Sequence, residues 1–288
     1  MSCNREKPEF SSAKLKMANG FEADTIEELR EHFDLIALLE HYSSGELLKW
    51  LSGRYPFEAE LVGSLDQSMD NFEEDLCSIF QVSFSLDDAV DRFREAAENG
   101  NAEGQFRLGC YCMFGIGVEE NKALAVEWIR KAAEQGHVAA QYELGVDYME
   151  GHGVAVDEPE AVRWIRAAAE NGNIDAQLNM GVFYDIGQGV EPDREESIRW
   201  FEMAADSGDI EALHWLGGKY WFNDDEKAFH YFKLAAEAGH PGSMFYLAHF
   251  YMNGNVVEID EKEAVRLLRE SAECGHGEAA EVLEDMGL

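Results

Sequence analysis

Residues 138–173, VAAQYELGVDYMEGHGVAVDEPEAVRWIRAAAENGN, decide the fold, because four other stretches of the chain say nearly the same thing. In register the five copies occupy 102–137, 138–173, 174–209, 210–240 and 241–276. Four are 36 residues long and the fourth has 31. Self-similarity at a fixed period marks a repeat architecture: a unit that cannot bury its own apolar face must stack on its neighbours.

The first half of each copy reads as a helix. Leu108, Leu144, Met180, Leu216 and Leu247 share one column, and Gly109, Gly145, Gly181, Gly217 and Ala248 share the next. Three residues on stand Cys112, Tyr148, Tyr184, Tyr220 and Tyr251. Spacings of three and four residues put these columns on one helix face and predict a core of Leu, Gly and Tyr. Glycine costs about 1 kcal/mol in a helix interior relative to alanine, which is tolerable where a neighbouring helix packs on the bare backbone. The second half opens on Asn121, Asp157, Asp193, Asp224 or Asp260, residue types favoured at a helix N-cap because the side chain accepts from unpaired N–H groups. Asp157-x-x-Glu160, Asp193-x-x-Glu196 and Asp260-x-x-Glu263 have the spacing of a capping box. A bulky column follows (Trp128, Trp164, Trp200, Tyr231, Leu267), then small pairs from Ala132-Ala133 to Ser271-Ala272. Large residues facing small ones at fixed positions are what interdigitating helices require. Gly136, Gly172, Gly208, Gly239 and Gly275 close the helices, glycine being the residue that takes the left-handed terminal position at least cost.

A second helix without its partner precedes the first full copy, over 84–101, capped by Ser85-x-x-Asp88 and stopped at Gly100. Residues 277–288 begin another first helix and serve as a terminal cap. Atypical end units are expected of a solenoid, whose ends must meet water. These columns resemble the Sel1-like repeat family, 36-residue relatives of tetratricopeptide repeats. The family pattern, A-x-A-Q-x-x-L-G-x-x-Y-x-x-G-x-G-V and then A-x-x-W-x-x-x-A-A-x-x-G, stands here as AAQYELGVDYMEGHGV and AVRWIRAAAENG. The resemblance implies an all-α fold, an α-solenoid of helix-turn-helix repeats over 82–288, that binds other proteins. The fourth copy departs from the pattern. Its connection WFNDDEK lacks the Gly-x-Gly-Val segment, which predicts a shorter loop between two undisturbed helices.

Residues 1–12 read as a disordered leader and 13–81 as a small, mostly helical module. KLKMANGFEAD predicts a short β-hairpin about Asn19-Gly20. Thr25-x-x-Glu28 opens a helix, Leu35, Leu38 and Leu39 continue an apolar face, and GELLKWLSGRY, EAELVGSL and FEEDLCSIF read as three more short helices. The segment resembles a helical module found ahead of Sel1-like repeats in bacterial proteins, from which no activity follows. It is either a cap on the first repeat helix or a separate small domain.

The net charge is −35, from 23 Lys and Arg against 58 Asp and Glu. Residues 1–81 carry 7 basic and 17 acidic residues, so the acidity runs throughout and is not a tail. Such a balance excludes nucleic acid, whose phosphates demand a basic surface, and disfavours anionic membranes. Its complement is a basic partner surface, although acids at helix N-termini and solubility account for much of it. No run approaches the roughly 20 apolar residues of a membrane span, and 1–19 lack the apolar stretch of a signal peptide. The five cysteines are few and irregularly spaced, which points to the reducing cytoplasm. Secreted members of the same family instead carry a cysteine pair in every repeat.

The stacked first helices are expected to form the concave wall of a superhelix. Its partner-binding candidates are Phe106, Arg107 and Phe114 in the first copy, Tyr142 and Glu143 in the second, and Asn179 in the third. His214, Trp215 and Phe222 follow in the fourth copy, and Tyr246 and His249 in the fifth. Exposed aromatics are the material of binding hot spots, and the expected ligand is a protein or peptide, laid in the groove as an extended strand or a helix. A carboxylate clamp would need several Lys, Arg and Asn on this wall, and only Arg107, Asn179 and Lys219 are present. His137, His240 and His276 recur after the terminal glycines and read as turn residues, with no third ligand near His214 and His249 to suggest zinc. The Gly-x-Gly loops follow no strand and precede no Lys-Ser/Thr, so a phosphate loop is excluded. No metal, cofactor or catalytic constellation is expected. The reading is a cytoplasmic, non-catalytic scaffold or adaptor. Its rivals are a hydrolase, since some secreted Sel1-like proteins have been linked to β-lactam hydrolysis, and a self-assembling structural protein.

Overall fold

The computed structural model describes residues 15–16, 22–23, 25, 29, 35–43, 47, 51, 62, 77 and 85–288. Two two-residue strands, β1 (Leu15–Lys16) and β2 (Glu22–Ala23), pair antiparallel with Leu15 opposite Ala23. The Asn19-Gly20 turn between them lies outside the described residues, as do the leader 1–12, Glu28 and most of the three short helices expected over 45–80. Helix α1 (Leu35–Ser43) buries Leu35, Leu38 and Leu39 as the apolar spacing predicts.

Twelve helices follow: α2 (Leu86–Glu98), α3 (Ala102–Phe114), α4 (Lys122–Glu134), α5 (Val138–Glu150), α6 (Glu158–Glu170), α7 (Ile174–Ile186), α8 (Arg194–Asp206), α9 (Ile210–Tyr220), α10 (Asp225–Glu237), α11 (Pro241–Asn253), α12 (Glu261–Glu273) and α13 (Gly277–Asp285). The chain divides into two compact units, residues 1–140 and 141–288. In the first unit α1 rests on α2 and α3, and α3 packs on both α2 and α4. In the second, each helix from α6 to α13 packs on the next in the chain, the helix-pair stacking of an α-solenoid.

Both helices of every repeat are capped from the sequence. Asn121, Asp157, Asp193, Asp224 and Asp260 accept from backbone N–H groups two or three residues on. The capping boxes close differently from expectation. The N–H of each cap donates to a carbonyl of the preceding first helix, as in Asp157 to Tyr148 and Asp193 to Tyr184 (both 2.9 Å). The N3 glutamates turn along their own helix to Arg163, Arg199 and Arg266. This ties the two helices of a repeat together. The residue that ends each repeat is itself a cap: Asn173 and Asp209 cap α7 and α9, while His137, His240 and His276 cap α5, α11 and α13 through ring Nδ1. At Gly136, φ is 87°, and its N–H reaches Ala133 while that of His137 reaches Ala132, a Schellman closure that L residues resist.

The leucine and glycine columns are buried as expected, with Trp164, Trp200 and Leu267, but part of the bulky column and the tyrosine column are displaced by one residue. The first-helix glycines do meet a bulky partner, but it is Ile129, Ile165, Phe201 or Phe232, the residue after the tryptophan column. A Cβ on Gly181 would stand 2.5 Å from the Phe201 ring. Trp128 and Tyr231 are only half-buried. The column Tyr148, Tyr184, Tyr220 and Tyr251 is likewise half-buried, and the preceding residues Tyr111, Asp147, Phe183 and Phe250 lie inside. One residue is a 100° step around a helix, so adjacent columns share one broad face and packing decides which turns fully inward.

The short fourth repeat also departs from expectation. Helix α9 has 11 residues where α3, α5, α7 and α11 have 13. The missing loop residues are therefore taken up partly by the helix, which ends in a turn with the Asn223 and Asp224 N–H groups on the Tyr220 carbonyl.

Candidate partner-binding face

In the first repeat, two candidates are withdrawn from the surface. Phe106 is 8% exposed and Arg107 6%. Arg107 Nε donates to Glu103 at 2.7 Å, and His137 Nε2 bonds the other oxygen of that carboxylate at 2.9 Å. Burial alone would raise the Glu103 carboxyl, but the His137 hydrogen bond and the Arg107 charge outweigh it and hold it below its ordinary value. Arg107 is thus spent on an internal ion pair, and the Phe106 ring lies 4.7 Å from that of His137. Neither offers a partner open surface. Phe114, at the exposed end of α3, is 73% exposed.

In the second unit, Tyr142 and Asn179 are joined, the Asn179 amide donating to the Tyr142 hydroxyl at 3.2 Å. Glu143 is exposed on the same helix as Tyr142. The remaining candidates gather on α9 and α11. Trp215 is half-buried and stacks on Phe201, with ring centroids 5.6 Å apart and planes 7° apart. Tyr246 stacks on Phe232 at 4.8 Å. His214 lies 4.3 Å from the His240 ring, and its Nδ1 is 2.9 Å from the Ser243 hydroxyl. Burial, followed by the neighbouring His240, pushes its pKa down to about 4, so it is a neutral packing group at physiological pH.

Phe222 stands clear of these contacts at 89% exposure. Beside it Trp221, a residue the sequence reading passed over, turns inward and meets Tyr246 at 5.0 Å, Phe250 at 5.2 Å and His249 at 6.3 Å. Its signal was the missing Gly-x-Gly-Val segment, which brings a Trp-Phe pair directly to the end of α9. Trp221, His249 and Asn253 line a cleft of about 150 Å³ whose polar rim includes Asp225 and Asn255. Gly218 is exposed on α9, and nothing lies within 4 Å of where its Cβ would be. The result is a shallow cleft of mixed lining, with the Trp221 and Phe250 rings beside the polar groups of Asp225, His249, Asn253 and Asn255.

The described residues contain one serine–histidine–carboxylate chain: Glu211 on His240 Nε2 (3.1 Å), with His240 Nδ1 and His214 Nδ1 both on Ser243 Oγ. Ser243 is 0% exposed, so no substrate reaches its hydroxyl. Among the described residues no three His, Cys, Asp or Glu are grouped to hold a metal ion, and no helix is long and apolar enough to cross a membrane.

Capped helix pairs, stacked on one another within each unit, define an α-solenoid. The Sel1 repeat family profile matches residues 102–137, 138–173, 174–209, 210–240 and 241–276, more than half of the chain, and the protein belongs to the Sel1 repeat family. Among solved structures it is similar to c5321, a protective antigen present in uropathogenic Escherichia coli strains displaying an SLR fold. The identity is 30% and the TM-score 0.68, over 88% of this chain and 50% of that one. This chain therefore spans half the length of that relative. A Sel1 repeat protein from Oxalobacter formigenes is 29% identical with a TM-score of 0.61, over 68% of this chain and 84% of its own. No curated protein matches the sequence. Sel1 repeat proteins are generally protein-interaction scaffolds and generally non-catalytic.

Proposed function

We propose that this protein is a non-catalytic cytoplasmic scaffold that docks a basic peptide or partner helix on the α9–α11 face of repeats 4 and 5. The observation that carries this reading is Phe222, an aromatic ring 89% exposed and next in the chain to Trp221, which lines a cleft with His249. Such a ring gains more by desolvation in a partner than any other group on this face. The Asp225 edge of the cleft and the net charge of −35 favour a cationic ligand and speed its encounter. The hydrolase alternative draws no support from the buried Ser243.

The test is affinity capture from the native host, followed by titration of the purified partner against variants. Trp215 and Tyr246 are poor choices, because each stacks on a core phenylalanine. Phe222→Ala removes the exposed ring without touching the core, and Asn253→Trp, at an exposed residue that lines the cleft, fills it. At least a tenfold loss of affinity is expected from each. Undiminished binding to both variants removes the partner from this face.

A further inference from the structure

Where one repeat's second helix meets the next repeat's first, two clefts occupy equivalent positions in the register. The one in repeat 3, about 470 Å³, is lined by Arg166, Tyr184, Val190, Asp193 and Glu196 among others. The one in repeat 1, about 450 Å³, has Arg94, Cys112, Val118, Asn121 and Leu124 at those same places, with Trp128 completing its wall. The decisive difference is at the floor. In repeat 3, Tyr184 lines it and its hydroxyl accepts from Arg166 at 2.7 Å, with the guanidinium 5.4 Å from the ring centroid. In repeat 1 the tyrosine of this column is replaced by Cys112, whose side chain ends at Sγ, 4% exposed. The corresponding arginine, Arg94, turns to Asp91 on its own helix at 2.8 Å. That pair is exposed, contributes little, and is easily exchanged for another acceptor.

We propose that the repeat 1 cleft receives a tyrosine side chain from a partner polypeptide, which restores from outside the ring that the chain itself omits. The ring packs on Trp128, Leu124 and Val118 over the Cys112 thiol, and its hydroxyl takes the Arg94 hydrogen bond that Tyr184 takes from Arg166. A neutral ring is specified, because Glu98, Glu119 and Glu120 also line this cleft and repel a phosphorylated or carboxylate-bearing one. This site is separate from the repeat 4–5 face and stands whether or not that face binds anything.

The probe is p-cresol, the tyrosine side chain alone, titrated into the full chain and followed by saturation-transfer NMR, with toluene as its hydroxyl-free control. Saturable millimolar binding of p-cresol is expected. It falls at least tenfold in Cys112→Tyr, whose own ring fills the cleft. Leu124→Glu, which installs the residue found at this position in repeats 2, 3 and 5, keeps the fold and lowers binding likewise, so the outcome does not depend on Cys112→Tyr folding. Arg94→Met reduces p-cresol to the affinity of toluene and leaves toluene unchanged. Absence of saturable binding to the wild type overturns the proposal. So does binding that survives both cleft variants, or that is lost in Phe222→Ala instead.

Discussion

Asp147 stands in the inner column that elsewhere holds Tyr111, Phe183 and Phe250, and it is buried with one carboxylate oxygen lacking any hydrogen-bond partner. Burial first, then the charges of Glu143 and Glu150, raise its pKa from 3.8 to about 7. The folded state therefore holds a proton that the unfolded state releases. Stability falls as pH rises from about 4 and is fully reduced above about 7, by on the order of 4 kcal/mol. Asp147→Asn removes the penalty. Thermal denaturation is expected to show the variant more stable than the wild type at pH 8, with the gap closing towards pH 4. A gap that stays constant over this range would place the effect elsewhere than in ionisation. The residue was invisible in the sequence as a core group, because an aspartate in a helix is ordinarily solvated.

Two adjacent glycines separate the effects that operate at the level of a helix. A Cβ on Gly217 would sit 2.6 Å from the Phe232 ring, whereas one on Gly218 would meet nothing within 4 Å. Gly217 is the joint at which α10 closes on α9, and Gly218 faces away from it. Gly217→Ala is expected to lower stability by about 1–3 kcal/mol through overpacking. Gly218→Ala is expected to raise it by about 0.5–1 kcal/mol through helix propensity. Chemical denaturation of both variants checks the opposite signs, and the same sign for both would refute the assignment of faces. The glycine column and its need for a packed neighbour were legible from spacing alone. Its actual neighbour, the Ile129–Phe232 column, was not, because the tryptophans one residue earlier advertise themselves more strongly.

Taken whole, the chain carries 58 acidic against 23 basic residues, spread over both units. In a repeat stack, stability is close to the sum of repeat and neighbour terms, so a charge distributed through every repeat weakens all of them through self-repulsion. Raising ionic strength from about 0.02 to about 0.5 M shortens the screening length from roughly 20 Å to about 4 Å. The melting temperature is expected to rise by several degrees across that range in sodium chloride. A flat or falling melting temperature would mean that local ion pairs such as Arg266 with Glu263 and Glu270 outweigh the general repulsion.

Over 85–288, the helix positions apart from the shortened α9, the second-helix caps, the glycine stops, the repeat register and the family were legible in the sequence itself. Each rests on interactions within one turn or one loop: an Asx side chain on a nearby N–H, a glycine at positive φ, an apolar residue every third or fourth place. The tertiary structure alone decided which of two adjacent columns faces inward, that Arg107 is consumed by Glu103, that Trp221 packs on Tyr246 and Phe250 while Phe222 stays exposed, and that Cys112 lines a cleft whose repeat 3 counterpart is lined by Tyr184. These outcomes depend on what the neighbouring helix places opposite each side chain, and helical periodicity resolves a face only to within the 100° that separates one residue from the next.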